Sequence, residues 1–309
     1  MVNPTPNDPV VQLKNVTKII GRRTIIDHVT LDLPPAEVFG FLGPNGSGKT
    51  TTIRMMVGLM AMTDGDVIIR GHSVRTDFEK AIRHVGAIVE NPEMYKYLTG
   101  FQNLLHYSRM VPGITRQRID EVVELVGLTA RINDKVKTYS LGMRQRLGVA
   151  QAIMHKPSLL ILDEPTNGLD PAGIRELRDY LRKLAKDEGI TVFVSSHLLS
   201  EMELMCDRVA IIQAGKLIDV RSIRQGVPLA SDLNRVLFDV DRPDEAVKLL
   251  ADNGAMLEQG AVLVNADRES IARINAALVS AGHNVYGIRV LNKSLEEQFL
   301  EMTGGESVV

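Results

Sequence analysis

The residues Gly43-Pro44-Asn45-Gly46-Ser47-Gly48-Lys49-Thr50 have the spacing G-x-x-x-x-G-K-[ST], in which a glycine-rich turn wraps backbone amides around nucleotide phosphates. The glycines permit the tight turns that aim N–H groups inward, a following helix adds the positive end of its dipole, and Lys49 reaches the terminal phosphates. Thr50 is the hydroxyl expected on magnesium, and Thr51 is grouped with the nucleotide contacts. A chance glycine-rich turn is the competing explanation. The flanks argue against it, because Val38-Phe39-Gly40-Phe41-Leu42 reads as a short buried strand and Lys49 to Leu59 as a helix. ATP or GTP is the expected ligand.

The second group is Leu159-Leu160-Ile161-Leu162-Asp163-Glu164-Pro165, an apolar strand ending in two carboxylates. It fits a Walker B element, with Asp163 toward magnesium and Glu164 toward the attacking water as its base. Alone, such a pair could cap a helix or lie in a solvated turn. With a phosphate loop upstream, nucleotide hydrolysis is the better explanation.

Three further segments follow in order: Tyr139-Ser140-Leu141-Gly142-Met143-Arg144-Gln145-Arg146, then Asn167-Gly168-Leu169-Asp170, then Ser195-Ser196-His197 after an apolar strand. They resemble the signature motif, the D-loop and the switch histidine of ATP-binding cassette (ABC) proteins, and the resemblance runs to about Arg224. It implies an α/β fold of the P-loop NTPase type: a RecA-like core with a helical subdomain and an antiparallel β part. It implies ATP and Mg2+ as cofactors, and a second copy of the chain packed head to tail so that two ATP molecules are clamped between them. In that pairing Ser140 and the Gly142 amide, at a helix amino terminus, would donate to a phosphate held by the other copy. Asp170 would support the dimer contact. His197 would touch the terminal phosphate and complete a catalytic set with Glu164 and Lys49.

The departures from the family pattern carry information. Where the common signature is Leu-Ser-Gly-Gly-Gln, this chain has Tyr139, Leu141 and Met143 at three of the five places. Glu90, in Gly86-Ala87-Ile88-Val89-Glu90-Asn91-Pro92, stands where the family usually has glutamine; a carboxylate there can reach water or magnesium if its charge is balanced. Ile20, in Lys18-Ile19-Ile20-Gly21, takes the place of the aromatic residue that stacks on adenine. With the closing run from Lys293 to Thr303, these variants resemble the bacitracin-export type of bacterial cassette. That type works beneath separate membrane-spanning ABC permease subunits, often expelling antibiotics or antimicrobial peptides. The resemblance places this chain at the cytoplasmic face of the membrane, held there by its partner. Met94, Tyr95, Tyr97, Phe101 and Tyr107 concentrate aromatic side chains in a sequence with six Tyr, seven Phe and no Trp. Two explanations stand for them, a groove for a permease helix and the plain core of a helical block.

The elements that position these groups form two expected domains. Residues 1–224 alternate apolar strand-like runs with helical patterns, as in a largely parallel sheet. Core strands are expected at Val38 to Leu42, Val85 to Val89, Leu159 to Leu162, Thr191 to Ser195 and Val209 to Ile212, with a helical subdomain over about 91–156. Met55, Met56, Met60 and Met62 are read as core behind the first helix. After a linker at 225–232 the pattern restarts as a small α/β domain over 233–309. Its expected strands are Val236 to Val240, Ala261 to Val264 and Val285 to Val290. Its helices are Asp244 to Asp252, Arg268 to Ala281 and Ser294 to Met302.

Composition sets outer bounds. With 36 basic and 38 acidic side chains in 309 residues, no global basic excess points to nucleic acid. The start Met1-Val2-Asn3-Pro4-Thr5-Pro6 does not read as a signal peptide. The single Cys206 precludes an intramolecular disulfide and is expected to be a small buried hydrophobe. About 114 residues separate Lys49 from Asp163, without the heptads of a chromosome or repair ATPase, and one P-loop rather than two argues against a translation-factor cassette. A non-hydrolysing regulatory module is the remaining alternative, opposed by Glu164 and His197.

Overall fold

A computed structural model describes residues 8–223, 234–258 and 260–291, and these divide into two units between residues 224 and 225. The first unit opens with an antiparallel sheet of β1 (Val11–Ile20), β2 (Arg23–Leu33), β4 (Asp64–Ile69) and β5 (His72–Ser73), in the order β2-β1-β4-β5. Its inward residues, among them Val11, Leu13, Ile26, Leu33 and Ile69, are fully buried against the core of the neighbouring sheet.

That neighbour has six strands in the order β10-β9-β3-β8-β7-β6: β3 (Val38–Leu42), β6 (Val85–Ile88), β7 (Leu159–Leu162), β8 (Thr191–Ser196), β9 (Arg208–Gln213) and β10 (Lys216–Ser222). All but the β9–β10 pair run parallel. Every residue of β3, β7 and β8 is buried, which is why these strands read as unbroken apolar runs rather than as alternations. Phe39 and Phe41 both pack on Phe193 across the β3–β8 seam. Helix α1 (Lys49–Met56) follows β3, α2 (Phe78–Ile82) precedes β6, and α6 (Pro171–Asp187) and α7 (Leu199–Met205) follow β7 and β8. Met55 and Met56 are fully buried, with Met60 and Met62 half-buried against the same core.

Between β6 and β7 lie α3 (Gly100–Ser108), α4 (Arg116–Leu125) and α5 (Leu141–Ile153). Each begins at a hydroxyl cap. Thr99 and Gln102 form a reciprocal capping box on α3, and the Thr115 and Ser140 hydroxyls accept from Arg118 N and Met143 N.

The second unit reads β11 (Asn234–Val240), α8 (Pro243–Leu249), β12 (Met256–Glu258), β13 (Ala261–Ala266), α9 (Arg268–Ser280) and β14 (Val285–Leu291). Its sheet is antiparallel throughout, in the order β12-β13-β11-β14, a split βαβ of ferredoxin-like topology. Val236, Phe238, Val240, Val262, Val264, Ile274 and Leu278 form its own core. The short β12 has no counterpart in the expected pattern: three residues carry too little periodicity to register. The helix expected at Ser294 to Met302 lies outside the described residues. No described helix is long and apolar enough to cross a membrane.

Candidate functional site

Parallel strands place their carboxyl ends on one edge, and here register pairs Leu42 with Ser196, Leu162 with Val194 and Ile88 with Leu162. The segments leaving β3, β6, β7 and β8 are therefore neighbours. Gly43 to Gly48, Glu90, Asp163 with Glu164, and Ser195 to His197 share one edge of the sheet.

The glycine-rich turn is shaped by close approach. A Cβ on Gly43 would meet Ile212 O at 2.3 Å and Ser47 Oγ at 2.6 Å, and Gly48, at φ 108, would drive one into Ile26 Cδ1 at 2.4 Å. Pro44 is half-buried, and Asn45 and Gly46 are exposed at its tip. Gly215, in the β9–β10 turn, donates to Ser47 O at 2.9 Å and accepts from Asp27 N at 2.9 Å, tying the loop to β2. The Ser47 hydroxyl is buried without a hydrogen-bond partner. An orphaned buried donor in a cradle of backbone amides fits a phosphate oxygen.

Lys49 is 5% exposed, and its Nζ donates to Gly43 O at 2.8 Å and Pro44 O at 3.2 Å. It also lies 3.2 Å from Glu164 Oε1. The other Glu164 oxygen is 2.7 Å from His197 Nδ1, so both ends of this carboxylate are engaged. Glu164 takes a left-handed backbone, φ 48, that turns the chain sharply off β7. Ser195, fully buried on β8, bridges the two acidic neighbours: its Oγ donates to Asp163 Oδ1 at 2.6 Å and accepts from Glu164 N at 2.9 Å. Behind them Thr166 and Ser196 both donate to Glu201 Oε2, at 2.6 and 3.1 Å, so this buried carboxylate is hydrogen-bonded.

Thr50 and Thr51 are half-buried in the first turn of α1. The oxygen donors on this edge fit a divalent cation: the Thr50 hydroxyl and the Asp163 carboxylate would be the protein's ligands. No cluster of three or more His, Cys, Asp or Glu that could hold a metal occurs among the described residues, so phosphate oxygens and water would complete the shell. Glu90 is exposed at φ 69, and Arg54 of α1 supplies its balancing charge through an ion pair.

Ile20 ends β1, is 53% exposed, and pairs with Arg23 across the hairpin. On the same hairpin Ile26 packs over Gly48, which ties this arm to the loop. Ser140, Gly142 and Asp170 form a separate group. Ser140 caps α5, and Asp170 caps α6 by accepting from Gly173 N at 2.8 Å. A Cβ on Gly168 would strike Leu141 at 2.9 Å, so the two segments lie side by side. Among the described residues no hydrogen bond or ion pair joins Ser140, Gly142 or Asp170 to Lys49, Glu164 or His197.

Sequence reasoning had no role for Ser195, Glu201 or Arg54. Ser195 was open to discovery as a hydroxyl closing an otherwise apolar strand. Glu201 and Arg54 lie on helices, where a lone charged residue carries no local mark of a distant partner. Cys206 is buried beside Met202 at the start of the run into β9, and burial pushes its thiol pKa well up, leaving it an inert hydrophobe.

A glycine-rich loop between a buried strand and a helix, with an acidic pair just past the end of a parallel strand in the same sheet, defines a P-loop nucleotide-binding cassette. The ABC transporter family model matches residues 26–167. The ABC transporter ATP-binding protein YhcH of Bacillus subtilis, itself uncharacterised, is 56% identical over 295 residues, 96% of each chain. The bacitracin transport ATP-binding protein BcrA of Bacillus licheniformis is 37% identical, over 97% of this chain and 99% of its own. A dimeric ATP-binding cassette solved after hydrolysis, with ADP and phosphate bound, superposes with a TM-score of 0.61 at 27% identity, covering 70% of this chain and 100% of that one. The chain belongs to the ABC transporter family and is an ATP-binding subunit of such a transporter.

Proposed function

We propose that this subunit hydrolyses ATP with Mg2+ as one half of a head-to-tail homodimer, at the cytoplasmic face of a membrane, and drives export through separate membrane-spanning permease subunits. The observation that carries hydrolysis is the placement of Glu164 between Lys49 and His197, its two oxygens held at 3.2 and 2.7 Å. The Gly43–Gly48 amides and Ser47 Oγ receive the phosphates. Lys49 then leaves Glu164 and the Gly43 and Pro44 carbonyls for the terminal phosphate, which frees Glu164 Oε1 to orient the attacking water and take its proton. His197 holds Glu164 in place and donates to the terminal phosphate. Thr50 and Asp163 would hold magnesium, with Glu90 as a further candidate through water, and the ion would supply positive charge to the phosphate oxygens. Ile20 lies over the base.

Ser140 and Gly142 form no bond to their own chain's Lys49 or Glu164, which supports their use by the opposite copy, with Asp170 steadying that contact. Tyr95 and Tyr97 support the permease contact. Their rings lie 5.9 Å apart, 42% and 68% exposed, while Met94 is buried and Phe101 carries Arg116 over its face at 3.9 Å. The first two are surface, not core, and aromatic side chains are enriched where partners meet. Export, and an antibiotic or antimicrobial peptide as cargo, rest on full-length similarity to a bacitracin transport protein. Phosphate release by the purified chain with MgATP tests the chemistry and separates it from a module that binds nucleotide without turnover. Co-purification of a membrane protein tests the coupling.

A further inference from the structure

The second unit has two sheet edges of unequal character. β12 is three residues long; β14 has seven, and among the described residues it pairs only with β11. Ile288 stands opposite Phe238 and Val290 opposite Val236, so these side chains share the face that holds this unit's core. They are nonetheless 40% and 46% exposed, and Tyr286, two residues earlier, is 70% exposed. An edge strand with an apolar stripe at alternate positions, unpaired on its outer side by any described strand, sets backbone donors and acceptors beside exposed hydrocarbon.

We propose that β14 pairs antiparallel with β14 of a second copy of this chain, making one eight-stranded sheet of the two ferredoxin-like units. Self-complementarity argues for this occupant. A two-fold axis at Ile288 sets Ile288 on Ile288 and Tyr286 on Val290, extending the apolar face across the seam. The same register sets Arg289 opposite Gly287, so the one charged side chain of the stretch meets a residue with no side chain and not its own copy. Shifting the axis to residue 289 would place two guanidiniums in direct opposition. Because this unit and the cassette are on one chain, such a pair keeps two cassettes at high effective concentration after nucleotide leaves, and reclosure becomes intramolecular. The proposal stands whether or not the ATP site turns over.

The test uses the full chain without nucleotide. Residues facing across antiparallel strands have Cα atoms about 4.5–5.5 Å apart, within disulfide reach. With Cys206 buried, Ile288→Cys becomes the reactive thiol, and mild oxidation is expected to give a covalent dimer. Tyr286→Cys alone should not, its copies lying roughly 13 Å apart along the strands, whereas mixed with Val290→Cys it should. Ile288→Lys should raise the dissociation constant of the nucleotide-free dimer, by sedimentation, about tenfold or more. The idea is overturned if Ile288→Cys crosslinks no better than Val279→Cys, an exposed position on α9, or if Ile288→Lys leaves sedimentation unchanged. A crosslink that forms only after residues 292–309 are removed would also overturn it, since the chain's own end would then be what covers the edge.

Discussion

The cassette and the second unit are both made of strands and helices in alternation, yet only one gathers chemistry. In the six-stranded sheet, β3, β6, β7 and β8 run parallel, so loops far apart in sequence emerge together at one edge. In the second unit every neighbour is antiparallel, and the strand ends are dealt alternately to opposite sides. No comparable set of polar ends can converge there. Strand direction decides which unit gathers the nucleotide-binding loops and which leaves β14 as an edge among its described strands.

The sharpest way to break this contrast is to remove the base. Glu164→Gln should retain ATP, lower phosphate release by about two to four orders of magnitude, and hold the dimer closed on nucleotide. Near-normal turnover would deny Glu164 its assignment. A smaller loss is expected from Ser195→Ala, which removes the hydroxyl joining Asp163 Oδ1 to Glu164 N: about tenfold in kcat with ATP binding little changed, and recovery in Ser195→Thr. A purely structural role would instead lower the melting temperature without separating kcat from KM. Ile20→Tyr should tighten ATP binding about fivefold, and GTP almost equally, because stacking tolerates any base. If titration finds both affinities unchanged, Ile20 does not lie over the base. The smallest effect is the most telling for the contrast. Deleting Leu229 to Val309 should leave ATP affinity in place, provided the shortened chain still melts cooperatively; complete loss of binding would mean the second unit shares the nucleotide site.

Much of this arrangement was legible because parallel, fully buried strands advertise themselves. Leu159 to Leu162 is apolar at every position and ends in Asp163 and Glu164, so strand, end and chemistry are read from one stretch. The starting glycines of the phosphate loop are equally local signals. What escaped was non-local. Nothing near Ser195 says that a residue 32 positions earlier will accept its hydrogen bond, and Arg54 on α1 carries no mark of Glu90, 36 positions on. The bulged register of β1 against β2, with shifts around Val16 and Lys18, likewise blurs the alternation that would have announced that sheet.

Glu164 carries one further consequence. A glutamate at φ 48 occupies backbone territory that suits glycine, and the strain of holding it there is about 1 kcal/mol. Glu164→Gly would relieve that strain but leave the buried Lys49 ammonium and His197 without their carboxylate, so its melting temperature is expected to fall while phosphate release is largely lost. The two contacts of the side chain, not the preference of its backbone, keep the glutamate at this turn: the chain tolerates a strained residue because its partners on α1 and beyond β8 offset the strain.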